Sequence, residues 1–284
     1  MKASSNKQRI LHRSGAKKLL PAVATSNNKA SRGRSLIMAG SPEFPGAGVL
    51  AAKAALRTGS GYVMLAQKGM SIDSWAYPDV IPYDLNNTAW YQIKAQAILI
   101  GPGFGVNGFT SQIIKDLQAR QVENVILDAD ALTVCAKEGL FPLLPTWIVT
   151  PHTGELARCL GCSAEEINAD REAAVVKAQQ LMNCVVLLKG HHTLIRSRTR
   201  TYLNKTGNAA LAKAGTGDVL AGIITALRAQ GLSAIKAAVL GAYLHGATAN
   251  LWQAHKKDLL SMLASDVIDL IPEVIHRVRF SESP

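Results

Sequence analysis

The sequence predicts an α/β domain with a mostly parallel sheet covered by helices on both faces, and three observations carry that prediction. From Ser35 onward, short apolar runs alternate with longer amphipathic ones, the pattern of strands joined by crossover helices. The short runs are almost continuously apolar, which suits parallel strands buried on both faces rather than strands with one side in water. The composition, 48% hydrophobic and 18% charged with only 5% aromatic residues, is that of a folded chain and argues against an all-β recognition module. The length of 284 residues allows one large domain or two small ones. No repeat, low-complexity stretch or linker divides residues 35–284, which therefore read as one domain.

Taken in order, the predicted strands are Ser35–Ala39 (SLIMA), Tyr62–Ala66 (YVMLA), Ala97–Ile100 (AILI), Val125–Leu127 (VIL), Trp147–Val149 (WIV) and Val185–Leu188 (VVLL). Thr193–Arg196 and Thr201–Leu203 read as a β-hairpin. Helices are expected over Gly48–Arg57, Gly108–Arg120, Ala129–Lys137, Glu165–Met182, Val219–Ala229, Ala234–Gln253 and Asp266–His276. Ser163 stands three residues before Glu166, a capping box, and Ser265 is the expected N-cap of the last helix. The charge-free run Ala237–Ala254 holds His245, Asn250 and Gln253 among small residues. A spanning helix needs about 20 predominantly apolar residues, so this run reads as a buried helix of a soluble protein with no membrane partner.

The formal net charge is +11, but its position matters more than its size. Nine basic residues, Lys2 through Arg34, precede the first acidic residue, Glu43, and without them the remaining 22 positive and 20 negative groups leave +2. Residues 1–34 are expected to be a loose basic arm. It contains no nucleic-acid module, so no nucleic-acid partner is expected. With four cysteines and no charged-then-apolar leader pattern, nothing points to an oxidising compartment, and the chain is expected to be cytoplasmic with reduced thiols. Cys159 and Cys162 form a single CxxC without a second pair, which reads as packing.

The stretch richest in chemistry is NKTGNAALAKAGTGDVLAG, Asn204–Gly222. Gly215, Thr216 and Gly217 present backbone amides at the start of a helix, where the dipole also favours an anion. Asp218 follows in the first turn. A carboxylate beside an anion site makes sense as the base that deprotonates a hydroxyl attacking phosphorus; it also has the simpler reading of a residue favoured by the helix dipole.

With GPGFG at Gly101–Gly105, LDADAL at Leu127–Leu132, TPHTGE at Thr150–Glu155, LKG at Leu188–Gly190 and LLSMLASDVIDLIP at Leu259–Pro272, that run resembles the ADP/ATP-dependent NAD(P)H-hydrate dehydratase family. The resemblance extends from about Lys29 to the C-terminus and takes in SPEFPGAGVLAAKAALRTGSG at Ser41–Gly61. It implies a ribokinase-like three-layer sandwich and the repair of hydrated NADH or NADPH, with ADP or ATP as co-substrate and Mg²⁺ as cofactor. It also implies a stand-alone protein without an epimerase domain, a separate epimerase as functional partner, and a homo-oligomer, commonly a tetramer.

Carried over position by position, the resemblance implies Asp218 as the base. Ala47, Gly103, Gly105 and His152, with Asp218, would contact the hydrate. Lys189, Gly190, His191, His192, Thr193, Asn208, Gly215, Thr216 and Gly217 would contact the adenine nucleotide. Phe104 replaces a more usual Leu, a packing change. Metal ligands stay unassigned, since Asp128 and Asp130 either orient substrate or Mg²⁺ or cap the next helix. The His191–His192 pair is not expected to bind metal, because neighbours on a strand point to opposite faces. The alternative is a small-molecule kinase of the same superfold acting on a vitamin-precursor or sugar-type alcohol. It would use Asp218 equally, while TPHTGE, LKG and LASDVIDLIP favour the dehydratase.

Overall fold

The structure is a computed structural model that describes residues 8–23, 28–69 and 76–280. Its strands are β1 (Arg9–Ile10), β2 (Arg34–Met38), β3 (Tyr62–Gln67), β4 (Ile81–Asp84), β5 (Ala97–Ile100), β6 (Val125–Leu127), β7 (Ile148–Val149), β8 (Val185–Leu188), β9 (Leu194–Arg196) and β10 (Thr201–Leu203). They form one sheet in the order β1-β10-β9-β8-β7-β6-β5-β2-β3-β4. From β8 to β4 every pairing is parallel; β9 runs antiparallel to both β8 and β10 as the predicted hairpin requires.

Side chains alternate across the sheet as a period of two dictates. Ile37, Leu65, Leu99 and Leu187 point into one core, with helices α2 (Pro45–Arg57), α8 (Thr216–Ala229), α9 (Ala234–Ala254) and α10 (Ala264–Phe280) over them. Leu36, Met38, Ile100 and Leu188 point into the other, under α3 (Gly108–Ala119), α4 (Asp130–Glu138), α5 (Thr153–Leu160) and α7 (Arg171–Met182). Both faces of the strands are thus buried, and the three-layer arrangement is the expected one.

Five local expectations change. The basic segment is not a loose arm throughout: residues 9–19 form β1, which pairs parallel with β10, and α1 (Arg13–Leu19), whose Ala16 is fully buried. Arg13 Nη2 donates to the Arg277 carbonyl at 2.6 Å and Arg279 Nη2 to that of Pro21 at 3.0 Å, so this segment is attached through α10. Residues 1–7 and 24–27 of the expected arm lie outside the described residues.

The helix expected over 165–182 is two, α6 (Ala164–Ala169) and α7, because Asp170 leaves helical geometry (φ −145°, ψ 83°) and its side chain accepts from Ala173 N. The capping box of Ser163 and Glu166 is present. Ser265 is not an N-cap but lies inside α10, where Asp266 Oδ2 accepts from Leu263 N at 2.7 Å. The first turn of α2 begins at Pro45, ahead of Gly48, as suits a proline at the start of a helix. Finally, α5 and the Pro-containing edge strand β4 were not predicted.

Strand order reverses between β2 and β5: the chain moves outward to β3 on one side and to β6 on the other. Ligands of open α/β sheets collect outside the C-terminal ends of the strands at such a point. Behind it, α2 and α8 approach closely enough that a Cβ on Gly222 would stand 2.2 Å from the Ala51 carbonyl oxygen. Gly222→Ala is expected to force the two helices apart and to destabilise the fold by about 1–3 kcal/mol, read as a lower midpoint in urea unfolding with an unchanged slope.

Candidate active site

The loops that follow β2, β5, β6, β7 and β8 meet at the switch point. Gly40 N donates to the Pro102 carbonyl at 2.8 Å, joining the first two. Gly101 (φ +130°) lies so close to the next loop that a Cβ would be 1.9 Å from the Asp128 carbonyl oxygen. Gly103 (φ +57°) would meet Phe44 Cβ at 2.6 Å and Ala47 Cβ at 3.2 Å. Two of the predicted hydrate contacts, Gly103 and Ala47, are therefore neighbours. Gly105 N donates to Asp130 Oδ2 at 2.8 Å, so Asp130 anchors the GPGFG loop. Beside these residues is a cavity of about 440 Å³ lined by Gly40–Glu43, Lys68, Phe104, Gly105, Asn107 and Phe109.

Asp218 sits in the first turn of α8 behind Gly215, whose left-handed backbone (φ +88°) packs against Leu50 and Ala264. Lys189, at the end of β8, lies next to that turn: a Cβ on Gly217 would be 3.6 Å from its Nζ. Its ammonium is 2.7 Å from Asp128 Oδ1 and 3.7 Å from Glu155 Oε2, and both carboxylates are buried. Burial alone would lower the Lys189 pKa, but Asp128 and Glu155, with a smaller contribution from Asp218, raise it instead. Lys189 is thus a fixed positive charge already shared with carboxylates. The Asp218 carboxylate makes no hydrogen bond among the described residues. Burial, then the charge of Asp128, push it up against the opposing pull of Lys189, with Asp130 and Glu155 adding to the rise; the result is about 7. A carboxyl at that pKa is a base near neutrality.

His152 caps α5. Its Nδ1 accepts from Gly154 N at 3.0 Å, which leaves the proton on Nε2. Glu155 completes the cap by accepting from His152 N at 2.8 Å, and its other oxygen is 3.5 Å from Nε2. The imidazole side chain is 55% exposed and presents its N–H as a donor. Glu155 therefore touches both His152 and Lys189, a role the sequence reading missed because it stopped at the histidine.

The predicted nucleotide residues gather around a second cavity of about 410 Å³. Lys189, Gly190, His191, His192, Thr193, Asn208, Thr216 and Gly217 all line it, and Gly215 stands at its edge as the N-cap of α8. The Thr216 hydroxyl donates to the Leu211 and Lys213 carbonyls and its N–H to the Lys213 carbonyl at 3.4 Å, so Thr216 closes the turn that leads into α8. Asn208 braces the wall, donating to the Ala249 carbonyl and accepting from Ala210 N. His191 and His192 are in the loop between β8 and β9, not on a strand as expected. Their rings stack at 3.9 Å, and among the described residues no group of three or more His, Cys, Asp or Glu is arranged to hold a metal ion. Arg171, also missed, donates to the Lys189 and Leu188 carbonyls and to Thr153 Oγ1, fixing the LKG turn.

Residues 35–273 match the model of the NAD(P)H-hydrate dehydratase family. The chain belongs to that family. An ADP-dependent (S)-NAD(P)H-hydrate dehydratase of Neisseria meningitidis is 36% identical over 257 residues, covering 87% of this chain and 86% of that one. A bifunctional NAD(P)H-hydrate repair enzyme of Moorella thermoacetica is 35% identical over 293 residues, covering 95% of this chain and 54% of that one; the chain thus spans about half the length of this relative. Among solved structures, the ADP/ATP-dependent NAD(P)H-hydrate dehydratase of Bacillus subtilis, co-crystallized with ATP/Mg²⁺, superposes with a TM-score of 0.84 at 28% identity, covering 97% of this chain and 100% of that one. A ribokinase-like superfamily protein of Enterococcus faecalis, 24% identical with a TM-score of 0.84 over 95% of this chain and 96% of that one, shows the same fold.

For this member of the NAD(P)H-hydrate dehydratase family, the charge cluster makes a prediction that needs no turnover. Carboxyl ¹³C NMR of Asp218 should titrate near pH 7. Lys189→Met removes the lowering charge and should move that midpoint up, while Glu155→Gln removes a raising charge and should move it down. A midpoint in the ordinary carboxylate range would contradict the electrostatics of the cluster.

Proposed function

We propose that the chain dehydrates hydrated NADH or NADPH at the expense of ADP or ATP, with Asp218 as the base. The observation that carries this reading is the place of Asp218. Its carboxyl, pushed up to about 7, stands in the turn that borders the nucleotide cavity and packs against α2, the helix of the hydrate-side Ala47. In the proposed reaction Asp218 takes the proton of the hydroxyl on the hydrated ring, and that oxygen attacks the terminal phosphorus of the nucleotide. The leaving nucleotide carries off the electron pair of the broken P–O bond. Phosphate is then expelled from the ring by the nitrogen lone pair, and loss of a proton from the adjacent carbon restores the dihydronicotinamide. Backbone amides of Gly215 and Gly217 would hold phosphate oxygens, and Lys189 balances charge beside them. His152 offers its Nε2–H to the hydrate.

The donors at hand suit Mg²⁺, which takes hard oxygen ligands and is commonly held by one or two carboxylates plus substrate phosphates. The oxygen of Asp128 not bonded to Lys189 is the group that would hold it, together with the phosphates, where it would neutralise phosphate charge and leave Asp218 as the base. The kinase reading shares Asp218, and the family match over 35–273 weighs against it. The relatives named bifunctional NAD(P)H-hydrate repair enzymes support a second repair activity working alongside this one. Four free thiols fit a reducing compartment such as the cytoplasm; among the described residues no helix is long and apolar enough to cross a membrane.

The test is to incubate the protein with chemically hydrated NADH, Mg²⁺ and either ADP or ATP while following absorbance of the reduced nicotinamide. Regeneration with one nucleotide is expected, and none with either would sink the proposal. Asp218→Asn should retain ligand binding and lose about 10²–10⁴-fold in kcat. For the wild type, kcat/KM should fall tenfold per pH unit below about 7, because protonation of a raised carboxyl removes the base.

A further inference from the structure

Across the C-terminal edge of the sheet, the two cavities stand on opposite sides of the charge cluster. The nucleotide cavity is formed by residues that follow β8 and β10, together with α8 and α9. Asp128, Glu155 and Lys189 follow β6, β7 and β8. The cavity of Gly40–Glu43, Lys68, Phe104, Gly105, Asn107 and Phe109 follows β2, β3 and β5, beyond β6 from the nucleotide. A hydroxyl that attacks the terminal phosphorus faces the nucleotide cavity, so the remainder of a hydrated dinucleotide extends the other way. From Asp128 at the end of β6 to Lys68 at the end of β3 are three strand spacings, about 14 Å, a reach that suits a dinucleotide and exceeds a single nucleoside. The way between is continuous: Gly215 meets Leu50, Gly103 meets Ala47, and these two residues stand one turn apart on α2.

The lining of this outer cavity narrows what it can take. Lys68 is exposed, and its ammonium lies 4.0 Å from the centre of the Phe109 ring, a cation–π contact that holds a flexible side chain at the cavity. Phe104, 6% exposed, backs Phe109 with ring centres 6.0 Å apart. Among the described residues the lining has one cation, Lys68 on the loop after β3, and one acid, the exposed Glu43 on the loop after β2. An aromatic wall with a positive charge at its outer edge suits a nucleoside that carries a phosphate.

We propose that Lys68 is a specificity-determining residue that takes the 2′-phosphate on the adenosine ribose of the hydrate, so that the chain favours hydrated NADPH over hydrated NADH. The inference rests on the dehydratase reading and deepens it by naming the form of the substrate. In this placement the pyrophosphate falls at the start of α2, where no side chain caps the helix and no acid stands in its first turn. The adenosine then reaches the wall of Phe104 and Phe109, and its 2′-phosphate lies at the β3 loop. A lysine meets that phosphate as a point charge on a flexible stem.

Calorimetry of NADPH and NADH, the products of the two hydrates, tests this in wild type, Lys68→Met and Lys68→Arg, with the nucleotide cavity filled by a non-hydrolysable ATP analogue. Wild type should bind NADPH about three- to tenfold more tightly than NADH. That preference should vanish in Lys68→Met, with NADH affinity unchanged, and return in Lys68→Arg. Equal affinities in wild type, no binding of either cofactor, or a Lys68→Met loss shared equally by both, which would put Lys68 on the pyrophosphate, would overturn the proposal.

Lys68 is exposed and Met keeps most of its stem, so the variant is expected to fold as the wild type does. Because these measurements read binding, a Lys68-dependent preference for NADPH in a protein that leaves both hydrates unchanged refutes the dehydratase reading alone. Regeneration of both cofactors by a protein that binds them equally refutes this inference alone.

Discussion

Lys189 carries a single positive charge into a setting of four carboxylates, and the geometry of the site depends on how that charge is shared. Its direct partner, Asp128, ends β6; its second, Glu155, begins α5 after β7; its own backbone ends β8; and Asp218 feels it from α8. Four elements that are remote in sequence are thereby held by one ammonium. A buried ion pair of this kind is weak evidence for stability, because desolvation offsets much of its attraction. Its value lies in setting protonation. Without Lys189, burial and three neighbouring carboxylates would push Asp218 further up; without those neighbours, burial alone would raise it against the pull of Lys189.

The same economy of elements governs the hydrate side. Glycine is required at 101 and 103 because backbone and side chains of neighbouring loops occupy the space of a Cβ, and both residues have positive φ. The resulting closeness draws the β2, β5 and β6 loops together at the reversal of strand order. Asp130 then fixes Gly105, and Phe44 and Ala47 are pressed against Gly103. These loops are held by close shape, in contrast to the charge-dominated centre around Lys189.

How far the sequence could be read follows this division. Strands buried on both faces carry a strong local signal, so the six central runs and the hairpin were legible. So were motif residues, because GTGD and LKG place chemistry at a helix start and a strand end whatever surrounds them. What escaped was decided by distant partners. The segment Thr153–Leu160 looks polar until His152 and Glu155 cap it. The basic segment folds because Ala16 and Leu20 join the core and α10 shares hydrogen bonds with it, none of which its charge reveals. His245 reads in sequence as one polar residue in an apolar helix; only packing shows that it is buried at the wall of the cavity beside α8.

The basic segment also bears on how anions are recognised. A net charge of +11 would attract any polyphosphate at long range, but that attraction is screened over roughly 8–10 Å in physiological salt. Recognition at Asp218 must then be local, and the local charge is unfavourable: one ammonium among four carboxylates. Backbone amides at the start of α8 help without adding charge, and Mg²⁺ suits the deficit because it travels with the phosphates. In the proposed reaction the centre would therefore disfavour a bare polyanion and accept one whose charge is already largely neutralised, which would keep Asp218 ionisable beside the nucleotide.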